Sequence, residues 1–292
     1  MEVHRAWAPA RLQRRARLSE SSASESAPRR LSGRAVGAAL AVALLPYALL
    51  VRRFDFICDD AYITFRYARN FSEGRGLVYN PGVDPPVEGY SEFLWAALLR
   101  LGFDLGLAPE IVSRVLSISA GAVLVVLCVV VLARRFAPSL PALMGGALFI
   151  GCAPPLSVWS TGGMATMPTA LLAFSLFVAA QRPLLGGAST IRRGVLLGVL
   201  AALLTLMRGD AALLVALVLG PRLVVGVVGR RRALWHPALL GAGIGAAAFG
   251  AHTAWRHSYY GDWIPNTARA KIGFSMAAME RGVDYVVSAL LS

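Results

Sequence analysis

The chain has 292 residues, 57% of them hydrophobic and only 15% charged, with a mean hydropathy of +0.60. That apolar content exceeds what a soluble domain needs to fill its core, so the composition points to a membrane protein. The net charge of +13 would suit a nucleic-acid binder, but the cations gather at alternate breaks between apolar segments, which excludes nucleic acid and makes the lipid bilayer the surrounding solvent.

Residues 1–34, rich in Arg, Ser, Ala and Pro, read as a disordered cytoplasmic tail that touches anionic inner-leaflet lipid. The junction Val51-Arg52-Arg53-Phe54 lacks the small residues of a signal-cleavage site. Seven apolar segments are predicted to cross the bilayer as helices: residues 35–51, 111–132, 139–158, 165–180, 194–207, 211–228 and 237–254. Most approach the ~20 residues such a helix requires. Arg134 and Arg135, then Arg182, Arg192 and Arg193, then Arg230, Arg231 and Arg232 fill every second connection after the first span. The positive-inside rule therefore puts the amino terminus in the cytoplasm and the segment after the first span outside. Arg52 and Arg53 oppose this placement and are expected to snorkel to the interface.

That outer segment opens with "FICDDAYITFRYARNFSEG", residues 56–74. A helix starting near Asp59 would stack Asp59, Ile63, Arg66 and Asn70 on one stripe, with Asp60, Thr64, Tyr67 and Phe71 beside it; Gly74 would end it. Two carboxylates then stand at a helix start, where the dipole favours their charge. N-capping would use one of them and leave the other unexplained. The turn-rich stretch "LVYNPGVDPPVEGY" is expected to fold Glu88 and Tyr90 back toward the aspartates. "SEFLWAALLRLGFDLGL" is predicted to lie in the outer interface, because letting it cross would reverse every later loop. Trp95 and Phe93 would anchor it at headgroup depth, and Arg100 and Asp104 would face water.

Farther along, "LMRGDAAL" sets Arg208 and Asp210 inside an apolar run. Ionisable groups there are costly and usually functional, the alternative being a surface turn with the two paired. "GAGIGAAAFG" resembles a phosphate loop only superficially; its small residues suit close helix packing. Three cysteines make no disulfide framework and four histidines no zinc pattern.

"DDAYITFRYARNFSEGRGLVYNPG", then "VEGYSEFLW", "WSTGGMATMPTALLA" and "YYGDWIPNTARAKIG" together resemble the ordered motifs of bacterial GT-C class multi-pass glycosyltransferases, which include actinobacterial arabinofuranosyltransferases and protein O-mannosyltransferases. The resemblance runs from about residue 55 to about residue 273. Two positions depart from it: Ala165 stands where the TGxET segment of relatives has Glu, and Asp210 only approximates the acid of an LTRPEG-like segment. Relatives also continue with further spans, so the chain reads as an amino-terminal piece.

The resemblance implies an all-α, GT-C-like transmembrane domain over residues 35–292, with interfacial helices in a first outer catalytic loop at 52–110. It implies a multi-pass protein of the cell membrane. A polyprenyl-phosphate sugar would be the donor, and a cell-envelope glycan, lipid or protein the acceptor. Phosphate departs without protonation, unlike the leaving group of a glycosidase, so the reaction needs one base and cations for the phosphate. Asp59 would be the base; Asp60 would orient the acceptor, bind a divalent cation or cap the helix. Arg66, Arg69, Arg208 and Lys271 would hold phosphate, and Glu88, Tyr90 and Asn266 would contact substrate. A transporter or flippase for lipid-linked sugars is the alternative. Acids gathered in one outer loop and the lack of a repeat favour the enzyme.

Overall fold

The computed structural model describes residues 31–136, 138–181, 190–271 and 276–291; the predicted basic tail lies outside the described residues up to position 30. Those residues form an all-α protein without a strand: α1 (Gly33–Arg53), α2 (Asp59–Ser72), α3 (Phe93–Asp104), α4 (Pro109–Arg135), α5 (Leu140–Gly151), α6 (Pro154–Thr161), α7 (Thr166–Gln181), α8 (Thr190–Met207), a 3-10 turn (Gly209–Ala211), α9 (Ala212–Val228), α10 (Arg232–Tyr260), α11 (Asn266–Lys271) and α12 (Met276–Leu291). Six helical stretches among them are long and apolar enough to cross a membrane, namely α1, α4, Leu140–Thr161, α8, Gly209–Val228 and α10. The protein is a multi-pass membrane helix bundle.

Two predicted spans differ from the observed helices. The segment at 139–158 is broken after Gly151, because Pro154 and Pro155 push the preceding Ala153 to extended backbone (φ −70°, ψ 107°). The segment at 165–180 becomes α7, with 16 residues. At ~1.5 Å per residue it reaches only about 24 Å, short of a ~30 Å hydrocarbon layer.

The chain divides into two compact units, Met1–Pro46 with Val125–Cys152, and Tyr47–Leu124 with Ala153–Ser292. Small residues set the packing of the first. Gly151 lies so close to the backbone of Ala43 that no Cβ would fit, and a Cβ at Gly146 would meet Leu132 at 2.6 Å.

Within the second unit the same device recurs between α8 and α10. A Cβ on Gly194 or Gly198 would meet Leu240 or Ile244 at 2.7 or 2.6 Å, and one on Gly241 or Gly245 would meet Leu197 or Ala201 at 2.8 Å. The stretch "GAGIGAAAFG" is thus a packing seam, as its composition predicts: without water to drive association, close van der Waals approach does so.

A platform of short helices lies on the amino-terminal side of this unit's sequence. Ala61, Phe65 and Ala68 of α2 pack with Trp95 and Leu99 of α3, with Ala165, and with Met207 at the end of α8. Trp95 is fully buried and its Nε1–H donates to the Gly163 carbonyl at 3.1 Å. It is therefore a core residue and not the headgroup anchor expected from the sequence; an indole buries more area in a core than any other side chain and needs only one acceptor there. Phe93 packs at a tilt against His252 and Trp255 of α10, with ring centroids 4.5 and 5.2 Å apart. Arg100 pairs with Asp104 at 3.4 Å and covers the Phe71 ring, so this helix face is partly closed to water.

Candidate active site

The helix α2 begins where the sequence predicts. Its N-cap is Cys58, in extended backbone (φ −68°, ψ 142°), so neither aspartate performs the capping expected of one of them. Both are exposed and occupy the first turn; Asp59 Oδ1 accepts the Asp60 N–H at 3.0 Å. Seven residues on, Arg66 lies about 10 Å farther along the helix on the stripe of Asp59. Asp59, Tyr62, Arg66, Arg69 and Glu73 are all exposed at helical spacing, while Ala61, Thr64, Phe65, Tyr67, Ala68 and Asn70 are buried.

Arg66 donates to the Tyr79 carbonyl at 2.9 Å and to Asn80 Oδ1 at 3.1 Å, and it covers the Tyr79 ring. Arg69 pairs with Glu73 at 3.0 Å, and Arg75 reaches the other oxygen of Glu73 at 2.6 Å. These three arginines, with Tyr62, Phe65 and Phe103, border a cavity of about 590 Å³ that Glu110 also lines. Each guanidinium has five N–H groups, so all three keep donors to spare. The paired aspartates do not line this cavity.

Glu88 and Tyr90 do not fold toward the aspartates. The hydroxyl of Tyr67, about 10 Å along α2 from Asp60, accepts the Gly89 N–H and donates to the Val87 carbonyl, both at 2.7 Å. That draws the loop to the middle of α2. The Glu88 carboxylate then meets Arg256 of α10 at 2.8 Å, both side chains nearly buried, and Tyr90 packs on Tyr67 at 4.9 Å. Burial raises the Glu88 carboxyl above its ordinary range against the pull of Arg256, and burial raises the Tyr90 phenol too. The Asn266 N–H donates to the Glu88 carbonyl at 3.2 Å, so the loop after α10 closes on the same segment, with the Asn266 residue exposed. The Lys271 side chain lies outside the described residues.

A second buried acid, absent from the sequence-based expectations, stands at the start of α3. Glu92, the N-cap of α3, is 1% exposed. Its Oε2 accepts the Ala165 N–H at 3.4 Å, and its Oε1 lies 3.6 Å from Arg208 Nη1. Arg208 is half-buried and clasps Asp210 through two bonds, Nε to Oδ1 at 3.0 Å and Nη2 to Oδ2 at 2.8 Å. Burial pushes the Glu92 carboxyl up to about 6, against the Ala165 N–H and Arg208, while the Asp210 charge adds to the rise.

The α6–α7 turn at 162–165 joins these groups. Its first residue accepts the Cys58 N–H at the Gly162 carbonyl, 3.0 Å, next to Asp59, and its last serves Glu92. The turn thus touches the backbone just before the paired aspartates at one end and Glu92, with its partner Arg208, at the other; Arg66 and Arg69 lie farther down α2. Among the described residues no group of three or more His, Cys, Asp or Glu side chains is arranged to hold a metal.

The chain is 29% identical over 226 residues, 74% of its length, to the terminal β-(1→2)-arabinofuranosyltransferase of Mycobacterium tuberculosis. The match spans 35% of that protein. No family model matches the chain, and no solved structure does.

Proposed function

We propose that the protein transfers a sugar from a polyprenyl-phosphate donor to a hydroxyl of a cell-envelope glycan, lipid or protein, at the outer side of the cell membrane. The observation that supports this reading is the exposed Asp59–Asp60 pair in the first turn of α2, with the 162–165 turn bonded to the preceding Cys58 at one end and to Glu92, the partner of Arg208, at the other. On this reading a base for the acceptor and a cation for the departing phosphate act together on the donor. The partial likeness to an arabinofuranosyltransferase makes arabinofuranose the first sugar to test.

An isoprenoid tail holds the donor's phosphate at headgroup depth, and the protein's apolar helices set its reacting groups beside that layer. As the acceptor oxygen bonds to the anomeric carbon, its proton passes to Asp59. The bond from that carbon to the phosphate oxygen breaks with its electron pair going to phosphate. Attack opposite the leaving group inverts the anomeric centre. Asp60 orients the acceptor. Arg208 holds the phosphate, Arg66 and Arg69 contact the substrate along the cavity, and Asn266 and Lys271 complete the site from the loop after α10. Glu88 and Tyr90 act less directly, by holding that loop against α2.

Membranes carrying the protein, or its Asp59→Asn or Asp60→Asn variant, should be given radiolabelled polyprenyl-phosphate sugars and the label followed into acceptor. Loss of a general base costs about 10²–10⁴ in rate, and Asp59→Asn is expected to fall in that range. Full transfer by both variants would reject the assignment. Lipid crossing the bilayer with no sugar transferred would instead support a flippase.

A further inference from the structure

Arg208 is shared by two carboxylates of opposite character. Asp210 has 69% of its side chain exposed and holds the guanidinium by two short bonds, whereas Glu92 is 1% exposed and touches it at 3.6 Å without a hydrogen bond. Glu92 Oε1 has no hydrogen-bond partner among the described residues. A merely structural ion pair would place the well-made bonds inside, where an unpaired charge is costly, and leave the loose contact outside. Here the arrangement is reversed: the strong bidentate partner is the one that can swing into solvent at little cost.

We propose that Asp210 is a placeholder in an anion seat on Arg208, and that Glu92 is a positioning residue that keeps the guanidinium aimed at the seat once Asp210 has left. A carboxylate held through two parallel N–H···O bonds has the geometry of a phosphodiester's two free oxygens. The occupant of this seat, on the lipid-phosphate reading, is the phosphodiester of an isoprenoid-linked ligand. Asp210 shields the charge while the seat is empty. Glu92 is less free to leave, because it is 1% exposed and its other oxygen accepts the Ala165 N–H at 3.4 Å. For the class of ligand this inference rests on the lipid-phosphate reading above.

The two acids separate simple charge from positioning. If only charge mattered, removing either one would strengthen anion binding. The full chain in detergent should be titrated with farnesyl methyl phosphate, a phosphodiester carrying an isoprenoid and no sugar, with dimethyl phosphate as the tail-free competitor. Asp210→Asn is expected to tighten binding about fivefold, the competition that one exposed ion pair provides. Glu92→Gln is expected to weaken it about tenfold, and Arg208→Gln to abolish it. Competition by dimethyl phosphate would assign the seat to phosphodiesters in general; its failure would assign it to the lipid-borne form.

Unchanged binding in Asp210→Asn overturns the placeholder, and this surface variant tests it even if Glu92→Gln does not fold. Tightening in Glu92→Gln overturns the positioning role. The probe bears no sugar, so opposite responses without transfer of any sugar would keep this inference and reject the proposed function. Transfer with binding unchanged in both variants would do the reverse.

Discussion

Glu92→Gln tests the electrostatics of the site without any substrate. The carboxyl is 1% exposed and is raised from an ordinary 4.5 to about 6; the charges acting on it are those of Arg208 and Asp210, with the Ala165 N–H on its other side. A folded-state value above the unfolded one means that the native protein holds the proton more tightly. Its contribution to stability is fully present below about pH 4.5 and is lost as pH rises through about 6. At ~1.4 kcal/mol per unit, the loss is about 2 kcal/mol. Glutamine is neutral at every pH, so the variant should lack this dependence. Denaturant unfolding in detergent at pH 4.5, 5.5, 6.5 and 7.5 (values set by about 1.5 units around the titration) gives the difference between wild type and variant, in which all other titrating groups cancel. Glu92→Gln should gain about 2 kcal/mol relative to wild type across that range. A difference that stays flat with pH would refute the placement of Glu92 as a buried, weakly compensated acid.

Three further outcomes follow from the packing. Arg256→Met leaves Glu88 buried without its cation, which should cost about 3–5 kcal/mol, and adding Glu88→Leu should recover most of it; denaturant unfolding of the single and double variants measures both. Gly241→Leu puts a large side chain where a Cβ would already stand 2.8 Å from Leu197, whereas Gly243 faces open space. The first change should destabilise by about 1–3 kcal/mol and Gly243→Leu by far less, read as thermal unfolding in detergent. Trp95→Phe removes the bond to the Gly163 carbonyl and should cost about 1 kcal/mol or somewhat more, whereas an interfacial anchor would show little change in detergent.

The helices were largely legible because apolar runs and polar breaks report a bilayer directly. Helix α2 began at Asp59 because the acids and the apolar pattern agreed. The break before Pro154 was also written in the chain, as two adjacent prolines, but the high apolar content around them hid it. Trp95 is ambiguous in the sequence because an indole suits an interface and a core equally well; only its neighbours Gly163 and Leu99 decide which. Glu88 stands out in its turn-rich loop, but its partner Arg256 lies far along the chain in α10, a pairing no local pattern encodes. Arg256 did carry a signal of its own, an arginine within an apolar helix, where charge is costly. Glu92 carried a weaker one, an acid directly before "FLWAALL". Its burial depends on a backbone N–H from the 162–165 turn, which the sequence does not bring near.

Asp59 and Asp60 can act as proposed only if they face the outside of the cell, and sidedness tests that most directly. In a background with Cys58, Cys128 and Cys152 replaced, a cysteine should be introduced by Val83→Cys, at an exposed site in the loop after α2, or by Arg231→Cys, at an exposed site between α9 and α10. A membrane-impermeant maleimide applied to intact cells is predicted to label the Val83→Cys protein at once, and the Arg231→Cys protein only after permeabilisation. The opposite pattern would put the paired acids in the cytoplasm and contradict the proposed chemistry.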